Sequence, residues 1–168
     1  DNLRSKTALG LQHKAEHIGV MLAHQKFPLP NVMLMATTEN QEQAERRIPH
    51  MLRLAARGWH TGVIVEPMLE NMTLTSLDFK LPGENVRTNA LTGERLRRFY
   101  SADPLPACLG WVVCGHEQGP GRREVASKCA VMLSHECSKA GVPFFFKKGS
   151  NGLYDSRAPR QFPAWMEV

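Results

Sequence analysis

The arrangement of residues 109–148 constrains the fold more than any other stretch of this chain. An apolar run at 109–114 (LGWVVC) leads into a glycine-rich corner at 115–121, an amphipathic segment at 124–140 and a second apolar run at 142–146 (VPFFF). This reads as strand, loop, helix, strand. Two strands joined by a helix pair in parallel through a right-handed crossover. Neither run alternates with polar residues, as expected of strands covered on both faces. Each ends abruptly in polar chemistry, His116-Glu117 after the first and Lys147-Lys148 after the second. In parallel α/β folds ligands gather at such carboxyl ends.

The first third repeats the alternation. Residues 7–23 place Ala8, Leu11, Ala15, Ile18 and Leu22 at helical spacing, with His13 and His17 four apart. That pair has metal-chelating spacing but no third ligand nearby, so both are read as surface histidines and no metal site is assigned. Phe27-Pro28-Leu29-Pro30 ends the helix, and 31–36 (NVMLMA) forms a strand. Thr38 or Asn40 can cap the next helix, 41–56, which Pro49 should kink or restart and Gly58 should end. Residues 61–65 (TGVIV) form another strand, closed by Glu66-Pro67. The pattern predicts an α/β fold with a parallel sheet of about four strands and flanking helices, one domain over 1–168.

Residues 70–107 read as an irregular insertion. Leu74, Leu77, Phe79 and Leu81 suggest a short extended piece. Residues 89–100 suggest a short helix carrying Arg95, Arg97 and Arg98, either a solvated face or a nucleic-acid phosphate patch. Residues 149–168 form a tail whose Phe162 and Trp165 can anchor it over the strand ends.

The net charge of +5 permits a polyanionic partner without requiring one. No apolar run approaches the roughly 20 residues of a membrane helix, so no membrane association is expected. Cys108, Cys114, Cys129 and Cys137 lack CxxC or cluster-type spacing and read as reduced thiols in a cytosolic setting. The chain starts at Asp1, which suggests further sequence upstream.

With parallel strands, Thr38 or Glu39, Glu66, Glu117 and Lys147 come to one edge. Two carboxylates and a lysine there suit a cationic or hydroxylated ligand, or proton transfer. The alternative is that these charges simply face water. The 115–121 loop can offer backbone N–H groups to an anion. It lacks the Lys-Ser/Thr ending of a Walker loop and does not fit GxGxxG.

Four motifs occur in order: Asn40-Gln41-Glu42 with Arg47-Ile48-Pro49, then Val65-Glu66-Pro67-Met68-Leu69, then Gly115-x-Glu117-x-Gly119-Pro120-Gly121, and 140–147 (AGVPFFFK). Together they resemble a phage-associated family of the radical S-adenosylmethionine type, distantly similar to spore photoproduct lyase, over most of 30–165. The resemblance implies the later half of a partial (β/α) TIM-like barrel. Glu66, Glu117 and Lys147 are then the catalytic candidates. Thr38, Asn40, Gly115 and Gly119 are the cofactor-contacting ones, and Arg95, Arg97 and Arg98 the nucleic-acid contacts. S-adenosylmethionine and a [4Fe–4S] cluster are implied, the cluster supplied by an upstream segment or second polypeptide because its cysteine motif is missing here. The setting implied is the cytoplasm of a phage-infected or prophage-bearing bacterial cell.

Departures crowd the strand ends: His116 and Gln118 stand where the family has Gly and Ser, Glu124 where it has Pro, and Lys148-Gly149 where it has Gln-Trp. The resulting expectation is the C-terminal part of a phage-type radical S-adenosylmethionine-like protein that acts with a cluster-bearing segment or partner, with nucleic acid as its candidate substrate. The competing expectation is a degenerate, non-catalytic copy that binds a host protein or nucleic acid. A third, a nucleotide-binding enzyme built on the 115–121 loop, is the weakest.

Overall fold

In a computed structural model, residues 27–81, 84–96, 101–102, 107–123, 125, 127–148 and 158–166 are described. The chain divides into two units, Asp1–Asn31 and Val32–Val168. The helix expected over 7–23, with His13 and His17, lies outside the described residues.

The second unit contains a parallel sheet of four strands, β1 (Met33–Thr37), β2 (His60–Val65), β7 (Trp111–Cys114) and β8 (Phe144–Phe146), in the order β1-β2-β7-β8. Every neighbouring pair is parallel. The α/β architecture expected from the alternation is therefore present. Helix α1 (Gln41–Ala55) links β1 to β2, and α2 (Ser127–Ala140) links β7 to β8. Spatial order follows chain order, with no reversal of the kind that creates a switch point in doubly wound sheets. Such sequential winding is the kind from which (β/α) barrels are built.

The apolar pattern of each element explains its packing. Helix α1 buries Ala44, Ile48, Met51 and Leu52, and α2 buries Cys129, Ala130, Leu133 and Cys137. These join Val63, Val65, Val112, Cys114 and Phe144 in one hydrophobic cluster. Because strand side chains alternate, that cluster uses one face of the sheet only. Asn40 starts α1 as the sequence suggested, its Oδ1 accepting the Gln43 N–H at 2.9 Å. The helix runs unbroken through Pro49, contrary to a restart.

The insertion is more regular than its sequence suggested. Strands β3 (Leu77–Leu81), β4 (Glu84–Thr88), β5 (Arg95–Leu96) and β6 (Ser101–Ala102) form a second, antiparallel sheet in chain order. The Pro82-Gly83 dipeptide between β3 and β4 was its local signal. No helix covers 89–96. Instead Asn89 accepts the Leu91 and Thr92 N–H groups on its Oδ1, at 3.0 and 3.3 Å, and Gly93 takes φ 77°. An Asx turn has displaced the helix. Leu77 and Phe79 join the main cluster, so this sheet is seated on the same core. Glu136 on α2 fastens the approach to β3, accepting from Thr73 Oγ1 at 2.6 Å and the Leu74 N–H at 2.9 Å.

The other face of the parallel sheet carries Met33, Met35, Gly62, Ile64, Trp111, Val113 and Phe145. A Cβ on Gly62 would lie 2.6 Å from both Met35 Sδ and the Trp111 carbonyl oxygen. The methionine can rotate; the backbone carbonyl cannot. Gly62→Ala should therefore destabilise the protein by about 1–3 kcal/mol, read as a lower urea midpoint. An unchanged midpoint would contradict this packing.

Candidate ligand-binding site at the strand ends

Parallel register stacks the open face into rows. Ile64 pairs with Val113, and Val113 with Phe145. Two residues further along the strands, the same face carries Glu66, Gly115 and Lys147. Glu66 and Lys147 are separated by a whole strand, about 9–10 Å at ordinary strand spacing. Yet Lys147 Nζ lies 2.6 Å from Glu66 Oε2. Gly115 makes this crossing fit: a Cβ there would stand 2.8 Å from Glu66 Oε1. The side chains are 29% exposed for Glu66 and 48% for Lys147, so solvent reaches the pair from above.

Backbone bonds hold this row in place. The Gly115 N–H donates to the Val65 carbonyl at 3.0 Å, the Met68 N–H to the Gly115 carbonyl at 2.9 Å, and the Lys147 N–H to the Cys114 carbonyl at 2.8 Å. His116 donates its N–H to the Lys148 carbonyl at 3.0 Å. The Glu66-Pro67 bond is cis.

The remaining candidates separate from this row. Thr38 is buried, its N–H donating to the Ile64 carbonyl at 2.8 Å. Asn40 caps α1. Glu39 pairs with Arg47 at 3.0 Å. Gly119 lies in the loop with φ 98° and open space where a Cβ would stand. The anion cradle considered for this loop is largely used internally. Besides Gly115 and His116, the Arg122 N–H reaches the Gly119 carbonyl at 3.4 Å and the Arg123 N–H the Glu117 carboxylate at 2.8 Å. Arg95 sits on β5, whereas Arg97 and Arg98 lie outside the described residues.

His116, buried edge-on against Phe146, has its pKa lowered by desolvation and stays neutral at neutral pH. Glu117 is engaged at both oxygens by Arg123, at 2.7 and 2.8 Å. Sequence spacing did not reveal this clip, nor the Arg47 pair. Of the aromatic group beside the row, Phe162 was expected with Trp165 as an anchor of the tail, whereas Trp111 and Phe145 were not singled out. The tail runs antiparallel to β8, which carries Phe162 toward Trp111 and Trp165 onto His60 at the start of β2 rather than over the carboxyl ends. Phe162 from the tail lies 5.6 Å from Trp111 and 5.2 Å from Phe145 between ring centroids.

An iron–sulfur cluster does not fit the chain's own cysteines. Cys114 and Cys137 are buried, and desolvation pushes both thiols up to about 12. Both sit within the packed core, where neither is presented to a bound group. Cys129 is also buried, leaving Cys108 as the exposed one. Among the described residues no group of three or more His, Cys, Asp or Glu is placed to hold a metal ion. Nor is any described helix long and apolar enough to cross a membrane.

The Glu117 carboxyl is lowered from 4.5 to about 2, first by the Arg123 side-chain hydrogen bonds. The clip therefore contributes stability that is complete above about pH 4.5 and is lost as pH falls through about 2. NMR titration should find this carboxyl ionising near its lowered value and returning to the ordinary range in Arg123→Gln. A Glu117 that titrates normally in the unaltered protein would refute the clip.

One family model, described as "Protein of unknown function (DUF5131)", matches residues 4–160. Comparison with curated proteins and with solved structures finds no match.

Proposed function

Because the chain belongs to the DUF5131 family, whose description assigns no reaction, we propose its function from the site: it is the ligand-binding portion of a radical S-adenosylmethionine-type protein. The observation that carries this reading is the Glu66–Lys147 pair spanning Gly115 on the open face of the parallel sheet. One carboxylate and one ammonium side by side match the ammonium and carboxylate of an amino-acid end. S-adenosylmethionine carries such an end, and when bound it supplies the activated sulfonium.

The chain's part is to bind and orient. Glu66 receives the ligand's ammonium in place of Lys147, and Lys147 turns to the ligand's carboxylate. Exchange of a solvent-exposed pair for two ligand pairs costs little, because such surface pairs contribute only about 0–1 kcal/mol. The apolar floor of Ile64, Val113 and Phe145 beneath the row suits the uncharged part of the ligand. The cluster's thiolates come from another segment or polypeptide, since the cysteines here do not fit one.

That poor fit also favours a second reading, a scaffold that keeps the face and binds a macromolecule without chemistry. Calorimetry separates the two. S-adenosylmethionine should bind the unaltered protein, and Glu66→Gln and Lys147→Gln should each weaken it by at least about tenfold, as for one lost partner of a desolvated charge pair. An analogue without the α-carboxylate should be insensitive to Lys147→Gln. Absence of binding at millimolar ligand, or full binding by both variants, leaves the second reading in its place.

A further inference from the structure

The outer surface of α1 carries a feature that the small-ligand reading does not use. At about 100° of turn per residue, Arg46, His50, Arg53 and Arg57 fall within about 60° of one another around the helix axis. The first three lie on α1 itself. Arg57 lies in the turn that closes it, its N–H donating to the Leu54 carbonyl at 2.9 Å. All four are exposed, and they stand opposite Ala44, Ile48, Met51 and Leu52, which face the core. The result is a straight ridge of guanidinium groups and one imidazole, about 16 Å long.

Elsewhere Arg47, Arg87, Arg123 and Lys147 each meet a carboxylate. Arg46, Arg53 and Arg57 have no ion pair and no side-chain hydrogen bond among the described residues. Nearby carboxylates are engaged at the other end of the helix. Glu39 holds Arg47, and Glu70 accepts the Gln41 N–H at 2.8 Å. The helix dipole accounts for Arg53 and Arg57, since cations are favoured at a carboxyl end. It does nothing for Arg46, and like charges a turn apart repel one another. Neutral residues would suit the helix better; a line of free cations suits a polyanion.

We propose that this ridge binds the phosphate backbone of double-stranded nucleic acid, with Arg46, Arg53 and Arg57 each meeting a phosphate. The exposed residues of α1 and its closing turn include no Trp, Tyr or Phe on which the bases of a single strand could stack. Nor do they include a large apolar side chain to enter a membrane interface. A duplex needs neither, and it offers dense charge, about one per 1.7 Å of its axis. Such contacts position a duplex without reading its sequence. Nucleic-acid contact was expected at Arg95, Arg97 and Arg98; the proposal puts it on α1. The ridge lies on the helix side of the parallel sheet, away from the face that carries Glu66 and Lys147, so the identity of the small ligand does not enter.

Fluorescence anisotropy with a labelled DNA duplex of about 20 base pairs, and with one of its strands alone, tests this over a range of salt. The unaltered protein should bind the duplex more tightly than the strand, with a log–log salt slope near about −2.7 for three phosphate contacts. Arg46→Gln, Arg53→Gln and Arg57→Gln should each make the slope shallower by about 0.9, and the triple variant should bind at least about tenfold more weakly at about 50 mM salt. Arg87→Gln and Arg123→Gln remove the same charge elsewhere and should leave affinity and slope unchanged, as should Glu66→Gln. Thermal melts of the ridge variants should match that of the unaltered protein, since the side chains are exposed. Failure of the unaltered protein to bind the duplex at about 50 mM salt would overturn the proposal. So would equal weakening by Arg87→Gln and Arg123→Gln, which marks attraction to net charge alone. Tighter binding of the single strand, or binding to anionic lipid vesicles in place of the duplex, would also overturn it.

Discussion

Glu66 reaches Lys147 across an intervening strand because the residue between them is glycine. The small-ligand site proposed for this molecule depends on that steric gap. The parallel register sets the three residues in one row, and the missing Cβ at Gly115 lets a carboxylate lie over the backbone of β7. A Cβ at 115 would press on the Glu66 carboxylate, 2.8 Å from its Oε1, and the carboxylate would have to shift to keep its hold on Lys147. The gap leaves the two charges as a joined pair with an apolar floor.

The two faces of the sheet have divided labour. One is committed to the core, where α1, α2 and the start of β3 meet Val63, Val65, Val112, Cys114 and Phe144. Sites at the strand ends need such support, because a binding group must be held by packed elements to be oriented at all. The other face carries the polar row and the aromatic group. Both helices lie on the core side, which leaves the second face without a helix among the described residues. This is the division expected of a barrel segment, whose helices are outside and whose ligands lie inward at the carboxyl ends.

Much of this was readable in advance, and for physical reasons. Long apolar runs bounded by turn chemistry mark buried parallel strands, and the placement of Glu66 and Lys147 at strand ends follows from them. The second sheet was not readable to the same degree. Its strands are short, β5 and β6 having two residues each, and pairing with neighbours rather than local propensity defines them. Asn89 illustrates the difficulty, since an Asn ahead of Ala90-Leu91 reads equally as a helix cap or an Asx turn. The clip of Glu117 by Arg123 and the gap at Gly115 depend on three-dimensional approach, for which one sequence carries no signal. Thr38 could be placed at a strand end but its burial could not be foreseen, because the residues around a strand end do not disclose which face it takes.

The most direct test of the central claim is an amide NMR titration of the labelled protein with S-adenosylmethionine. The account predicts shifts concentrated at residues 64–66, 113–117 and 145–148, where the row and its floor lie. Shifts concentrated instead on α2 or on the antiparallel sheet, with Gly115 unmoved, would contradict it.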